Sequence, residues 1–258
     1  MNLATFDAEG WLRLPAVIPG ADVAVMRADV EQMIKRVALV EIAGGLRPGP
    51  ESSEMLWEVG RGPSFAQLPV KVGRAVDDAF GPGVWLPMAE EQGGLAAPNL
   101  PLRDSAPWTV PYAAWHVDEP TAAAHKRSWG LLAFVFLDDV EPGGGATVAI
   151  AGSHRRLHTM ATATAAGGLL TGEDAMAALR RDEPWFAELF TPGGDPAARR
   201  RQFMDGGCIS NGISLRVVEL TGAAGDVVLM DPRCLHTVSA NASNRARLQM
   251  RLTCHRLA

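Results

Sequence analysis

The chain has little cysteine. Cys208, Cys234 and Cys254 form an odd set with no CxxC pair, so neither a disulfide framework nor a thiolate zinc site is signalled, and a reducing, cytoplasmic setting is expected. An excess of positive charge is also missing. Lys and Arg number 24 against 29 Asp and Glu, and a formal charge of -5 creates no field that gathers phosphates or anionic head groups. Nucleic acid and membrane surfaces are therefore not expected as partners. Long apolar runs are absent too: the longest, Leu131 to Leu137, falls far short of the roughly 20 residues that cross a bilayer as a helix. The opening segment, MNLATFDAEGWLRL, carries acidic side chains and no basic start followed by an apolar stretch, so export is not indicated. No internal repeat stands out, although residues 161 to 166 are locally rich in alanine.

What is present is apolar content enough for one large core: 47% of 258 residues, which makes a single domain over 1–258 the expectation. After the Pro19-Gly20 break, Val23, Met26, Val30, Met33, Ile34 and Val37 form a helical stripe with charged residues off it. A weaker helical pattern covers about 65 to 80, and recurrent Gly and Pro then point to loops and short strands as far as 110. From Val110 the texture changes to short apolar or alternating runs. Strands are predicted at Tyr112 to Val117, Leu131 to Leu137, Thr147 to Ile150, Leu215 to Leu220, Val227 to Met230 and Arg245 to Thr253. Gly- and Asn-rich turns separate several of them, which argues for a sandwich or barrel. Residues 155 to 206 read as a partly helical insertion, with Thr171 and Asp174 marking a helix start.

The chemistry begins at Trp115-His116-Val117-Asp118, at the end of the strand predicted over Tyr112 to Val117. Side chains two apart on a strand share a face, so His116 and Asp118 can approach one cation together. A second imidazole beside them would complete the facial triad of non-haem iron(II) sites, which leaves three positions open on the metal. His236 is the candidate, because it follows the strand Val227 to Met230 and can return to the mouth where His116 lies. Eleven positions on (247 minus 236) stands Arg247, on the polar parity Arg245, Arg247, Gln249, Arg251. That parity reads either as a solvated strand face or as the lining of a cavity for a dicarboxylate, which a guanidinium fork suits better than an ammonium.

The order of these motifs, HxD, then AGSH after a Gly-rich turn, then GDVVLMD, then a His followed eleven residues on by an Arg, resembles the phytanoyl-CoA dioxygenase family. FDAEGWLRLPAVIPGADVAVMR, FVFLDDVEPGGGATVAIAGSHR, GDVVLMDPRCLH and HTVSANASNRAR share the likeness, which runs from about residue 6 to 252 and is weakest over 40 to 105 and in the insertion. The resemblance implies a mainly β fold with flanking helices, a double-stranded β-helix or cupin-like jelly roll. It implies Fe(II), 2-oxoglutarate as co-substrate and dioxygen, with His116, Asp118 and His236 as catalytic iron ligands and Arg247 on the distal carboxylate. The turn usually written PGSH is Ala151-Gly152-Ser153-His154 here, which touches no ligand. Related halogenases replace the carboxylate with a small residue, so a full triad favours hydroxylation of a small organic molecule or another oxidative outcome, desaturation or ring formation included.

Two other readings stay open: a cupin-like metalloenzyme that does not use 2-oxoglutarate, and a catalytically silent jelly-roll binding domain. His125, His154, His158 and His255 read as surface or turn histidines. Phe134 reads as core, as do Trp108, Tyr112 and Trp115, which could alternatively wall a substrate site. Arg103 and the Arg199-Arg200-Arg201 run read as solvated charge. Substrate specificity is expected from residues 92 to 115 and from the insertion.

Overall fold

A computed structural model describes residues 3–42, 44–89, 92–102, 107–125, 127–163 and 169–257. In chain order the elements are α1 (Leu3–Glu9), β1 (Trp11–Leu14), α2 (Gly20–Ile34), β2 (Leu39–Ile42), β3 (Gly45–Pro48), α3 (Ser53–Val59), α4 (Leu68–Phe80), β4 (Leu95–Ala96), β5 (Thr121–Ala122), β6 (Gly130–Phe136) and β7 (Thr147–Ala151). They continue with α5 (Ser153–Ala163), β8 (Leu169–Leu170), α6 (Gly172–Asp182), α7 (Pro184–Leu189), α8 (Pro196–Arg200), β9 (Cys208–Ser210), β10 (Ile213–Glu219), β11 (Val227–Met230), β12 (His236–Val238) and β13 (Gln249–His255).

The architecture is mainly β with flanking helices. One sheet has the order β1-β11-β6-β13-β4 and the other β12-β7-β10-β9, with antiparallel pairing throughout both. Strand β6 shows why they stack. Its sequence GLLAFVF is apolar without alternation, and all of it is buried, which a strand tolerates only when both faces are covered. Leu131, Ala133 and Val135 share one core with Val23, Met26 and Val30 of α2 and Val72 and Val76 of α4. Leu132, Phe134 and Phe136, one residue out of phase, pack instead against Ala149, Ala151 and Val218 of the second sheet. On the far side of that sheet, Val148 and Ile150 meet Leu157, Leu179 and Phe186 from the helices that follow β7. The layers are therefore helix, sheet, sheet, helix.

Several local predictions hold for physical reasons that the residues carry. In α2 the buried side chains are Val23, Met26, Val30 and Met33, the spacing of one helical face, although the helix stops at Ile34 and leaves Val37 beyond it. Thr171 caps α6, its hydroxyl oxygen accepting from the Asp174 amide at 3.1 Å. Two predictions need correction. Residues 112 to 117 form no strand: His116 alone makes a bridge, and Ala114 sits in the left-handed region at φ 59°. The last strand begins at Gln249 rather than Arg245, because Gln249 faces Phe136, the last residue of β6, and Arg247 makes only an isolated bridge, to Asn99.

Phe136, 1% exposed, fills the space between the sheets. Phe136→Ala is expected to lower unfolding stability by about 3–5 kcal/mol, through lost transfer energy plus the cavity left behind. Urea unfolding checks this, with the midpoint falling at unchanged slope.

Candidate metal centre

The site is assembled by backbone pairing. His116 N–H donates to the His236 carbonyl and His236 N–H to the His116 carbonyl, both at 2.9 Å, so the two residues form one hydrogen-bonded antiparallel pair. Directly opposed residues of such a pair carry their side chains on the same face, and the two rings lie with centroids 4.2 Å apart. The Pro232 carbonyl, in the turn that leads into β12, accepts from the amides of Asp118 (2.9 Å) and Glu119 (3.2 Å) and brings the carboxylate alongside. That turn is itself held by a buried pair, Arg233 donating to both carboxylate oxygens of Asp231 at 2.9 and 2.6 Å.

Hydrogen bonding also sets the chemistry of the rings. His116 Nδ1 donates to the Ala114 carbonyl and His236 Nδ1 to the Cys234 carbonyl, each at 2.9 Å, which leaves both Nε2 atoms with free lone pairs. The Nε2 atoms lie 3.8 and 3.9 Å from the Asp118 carboxylate oxygens. Burial, and then the neighbouring His116, push His236 well below the usual imidazole range, so it stays neutral at physiological pH. Three donors within 4.8 Å of one another, from one carboxylate and two imidazoles, fit a divalent transition metal such as iron(II). Arg251 reaches the same carboxylate, Nη1 donating to Asp118 Oδ2 at 3.2 Å.

A cavity of about 240 Å³ opens beside this cluster, lined among others by His116, His236, Phe134, Gln249, Arg247 and Arg251. Arg247, 3% exposed, lines this cavity with Gln249 and Arg251 rather than lying on a solvated face, whereas Arg245 of the same parity is exposed. Its Nε donates to the Gly145 carbonyl at 2.9 Å and its Nη1 to that of Ala97 at 2.7 Å. A larger cavity of about 600 Å³, walled by residues such as Phe6, Trp85, Leu131 and Arg233, contains none of the three donors. Size alone therefore does not pick out the site; the donor geometry does.

Two imidazoles and a carboxylate facing an arginine-lined cavity between β-sheets define the class: a non-haem metalloenzyme built on a β scaffold. The profile of the family described as Phytanoyl-CoA dioxygenase (PhyH) matches residues 105–248, more than half of the sequence, and the chain belongs to that family. It is an enzyme of the iron and 2-oxoglutarate-dependent oxygenase type, using Fe(II), 2-oxoglutarate and dioxygen. No curated protein matches the chain. Among solved structures it is similar to the non-haem α-ketoglutarate-dependent epimerase SnoN from nogalamycin biosynthesis, with TM-score 0.54 and 16% identity over 97% of this chain and 79% of that one. It is also similar to apo HygX from Streptomyces hygroscopicus, with TM-score 0.52 and 16% identity over 98% of this chain and 85% of that one. At such identities the likeness shows a shared fold.

Other residues singled out in the sequence fall elsewhere. His154 and His158 lie on helix α5 rather than at a turn, and His255, at the end of β13, stacks on Trp129. Trp115 is core, against Phe190, whereas Tyr112 is exposed. Phe134 is both core and cavity wall. The Arg199–Arg201 run is not uniformly solvated: Arg199 is buried and donates to the carbonyls of Val110, Glu188, Leu189 and Thr191. Arg103 lies outside the described residues. No motif in the sequence marks a role for Arg251, and none marks the hairpin that carries Arg47.

His154 supplies a pH test. Its Nε2 donates to the Asp7 carbonyl at 3.2 Å, and burial holds its pKa below the ordinary imidazole value. The unfolded side chain takes up a proton near pH ~6.5 while the folded one resists, so stability is full above that pH and declines as pH falls through the window below it. Unfolding free energies measured by urea from pH 7.5 downward should fall, with a shallower slope for His154→Gln. Identical slopes would show that this histidine does not titrate as its burial dictates.

Proposed function

We propose that this chain hydroxylates a C–H bond of a small organic molecule, with His116, Asp118 and His236 holding iron(II) and Arg247 fixing the distal carboxylate of 2-oxoglutarate. The scaffold in this reading is a double-stranded β-helix forming one domain over 1–258. The observation that carries it is the paired backbone of His116 and His236, which turns two lone pairs toward the Asp118 carboxylate at the edge of a cavity that also holds Arg247.

Bound iron(II) supplies the redox chemistry that couples oxidative decarboxylation of the 2-oxo acid to oxidation of the substrate. The residues of the chain do the rest by placement. The imidazole rings are locked by their Nδ1 bonds, so each Nε2 is aimed before any ligand arrives. Arg251 keeps Asp118 from rotating away. Arg247, tied to two backbone carbonyls, presents the rest of its guanidinium to a carboxylate at a fixed depth. The wall formed by Phe134 and Val238 excludes water from the co-substrate's methylene carbons. His116, half exposed, marks the side from which a substrate reaches the centre. The name of SnoN as an epimerase favours checking the product directly, since the same ligand set supports more than one oxidative outcome.

Anaerobic titration of the protein with iron(II) and 2-oxoglutarate tests the assignment. A visible charge-transfer band from a chelated 2-oxo acid is expected in the native protein and lost in His236→Ala. Arg247→Ala should raise the 2-oxoglutarate concentration needed for half-saturation about tenfold or more, as removal of a buried charged hydrogen-bond partner does. No band in the native protein would favour a silent domain. A band with equal 2-oxoglutarate demand in Arg247→Ala would remove that arginine from the site.

A further inference from the structure

The β2–β3 hairpin lies outside the segment matched by the family profile, in the stretch that looked least like that family. Yet it forms part of the cavity wall. Arg47, on β3, lines the same cavity as Arg247, and its Nη2 donates to the Ser239 carbonyl at 3.1 Å. Its Nε is buried with no hydrogen-bond partner. Among the described residues, neither Arg47 nor Arg247 is paired with a carboxylate.

Two buried guanidinium groups without an acid are an unbalanced arrangement. Burial draws Arg47 down to about 10, and burial together with the charge of Arg47 draws Arg247 down to about 9. The positions of both are nonetheless built in. The Asn99 amide donates to the Gly145 carbonyl at 2.9 Å and to the Ser239 carbonyl at 3.0 Å. Those are the two carbonyls that also accept from Arg247 and Arg47. The backbone repeats the arrangement, since Leu46 bridges to Leu100 and Asn99 bridges to Arg247. Gly45 lets the hairpin seat this closely: a Cβ there would stand 2.0 Å from Asn99 Oδ1. One strap, residues 97 to 100, thus holds both arginines against the cavity.

We infer that Arg47 is a second anchor for the distal carboxylate of the co-substrate, donating through the guanidinium Nη1, which the bond from Nη2 to the Ser239 carbonyl leaves free at the cavity wall. A carboxylate offers two oxygens with several lone pairs, enough to accept from two guanidinium groups at once, and its charge relieves their mutual repulsion. This inference rests on the reading that the cavity takes 2-oxoglutarate. It goes beyond that reading by assigning the hairpin a part in choosing a dicarboxylic over a monocarboxylic 2-oxo acid.

The test compares 2-oxoglutarate with 2-oxopentanoate, which has the same 2-oxo acid end and five-carbon chain but no distal carboxylate. Each is titrated anaerobically into the iron(II)-loaded full chain, read by the charge-transfer band, in native protein, Arg47→Met and Arg47→Lys. The native protein should prefer 2-oxoglutarate. In Arg47→Met that preference should fall about tenfold or more, with 2-oxopentanoate binding unchanged, and Arg47→Lys should recover part of it. An undiminished preference overturns the inference, as does equal weakening of both acids, which would mean that Arg47 only props the hairpin. If the native protein does not distinguish the acids at all, the reading of the cavity fails, a result separable from failure of Arg47 alone.

Discussion

Everything at the centre depends on two backbone hydrogen bonds exchanged between His116 and His236, residues 120 positions apart (236 minus 116). Closing so long a loop carries an entropic cost that the local pair does not offset by itself, so the sheets on either side must supply the constraint. They do so through β12, which pairs with β7 in the register His236 to Ala149. A slip of one residue would turn His236 from the cavity into the opposite face, because side chains alternate along a strand. The carbonyls that fix each ring then come from two residues earlier in both cases, Ala114 and Cys234. At Ala114 the chain adopts a left-handed φ that a non-glycine residue reaches only at some cost, a strain typical of functional positions.

Burial gives the charges in this molecule their roles. Arg247 and Arg199 are both enclosed, and both spend donors on backbone carbonyls, which is how an interior satisfies a guanidinium without an acid. Arg233 is handled differently, with Asp231 taking a two-pronged bond from it beneath the loop that holds Asp118. The contrast separates an arginine paired within the chain from those that are not. Arg233 has its counter-charge within the chain. Arg247 and Arg47 have none among the described residues, and both line the cavity between the sheets, where the proposed co-substrate would supply it.

The layers explain why this cavity lies where it does. Strand β6 commits one set of side chains to the helices α2 and α4 and the alternate set to the second sheet. Phe134 belongs to the inward set and so reaches the cavity wall, while its partner across the sheet, Arg251, reaches Asp118. Core packing and site geometry are thus two uses of one alternation.

Legibility in the sequence follows the range of the interactions. Buried strands such as Val227–Met230, the stripe of α2 and the Thr171 cap are set by neighbours within a few residues, and the sequence by itself determined them. Motif order was enough to nominate His116, Asp118, His236 and Arg247. The irregular path of residues 112 to 118 was not legible, because its hydrogen bonds go to Pro232 and His236 rather than to a neighbouring strand. Nor was the burial of Arg199, whose partners are carbonyls freed at the ends of other segments. Arg47 is the clearest case of what only the tertiary structure decided. Nothing local distinguishes it from a surface arginine, and its role arises from a strap fifty residues away that carries it to the cavity, a long-range contact that no spacing along the chain encodes.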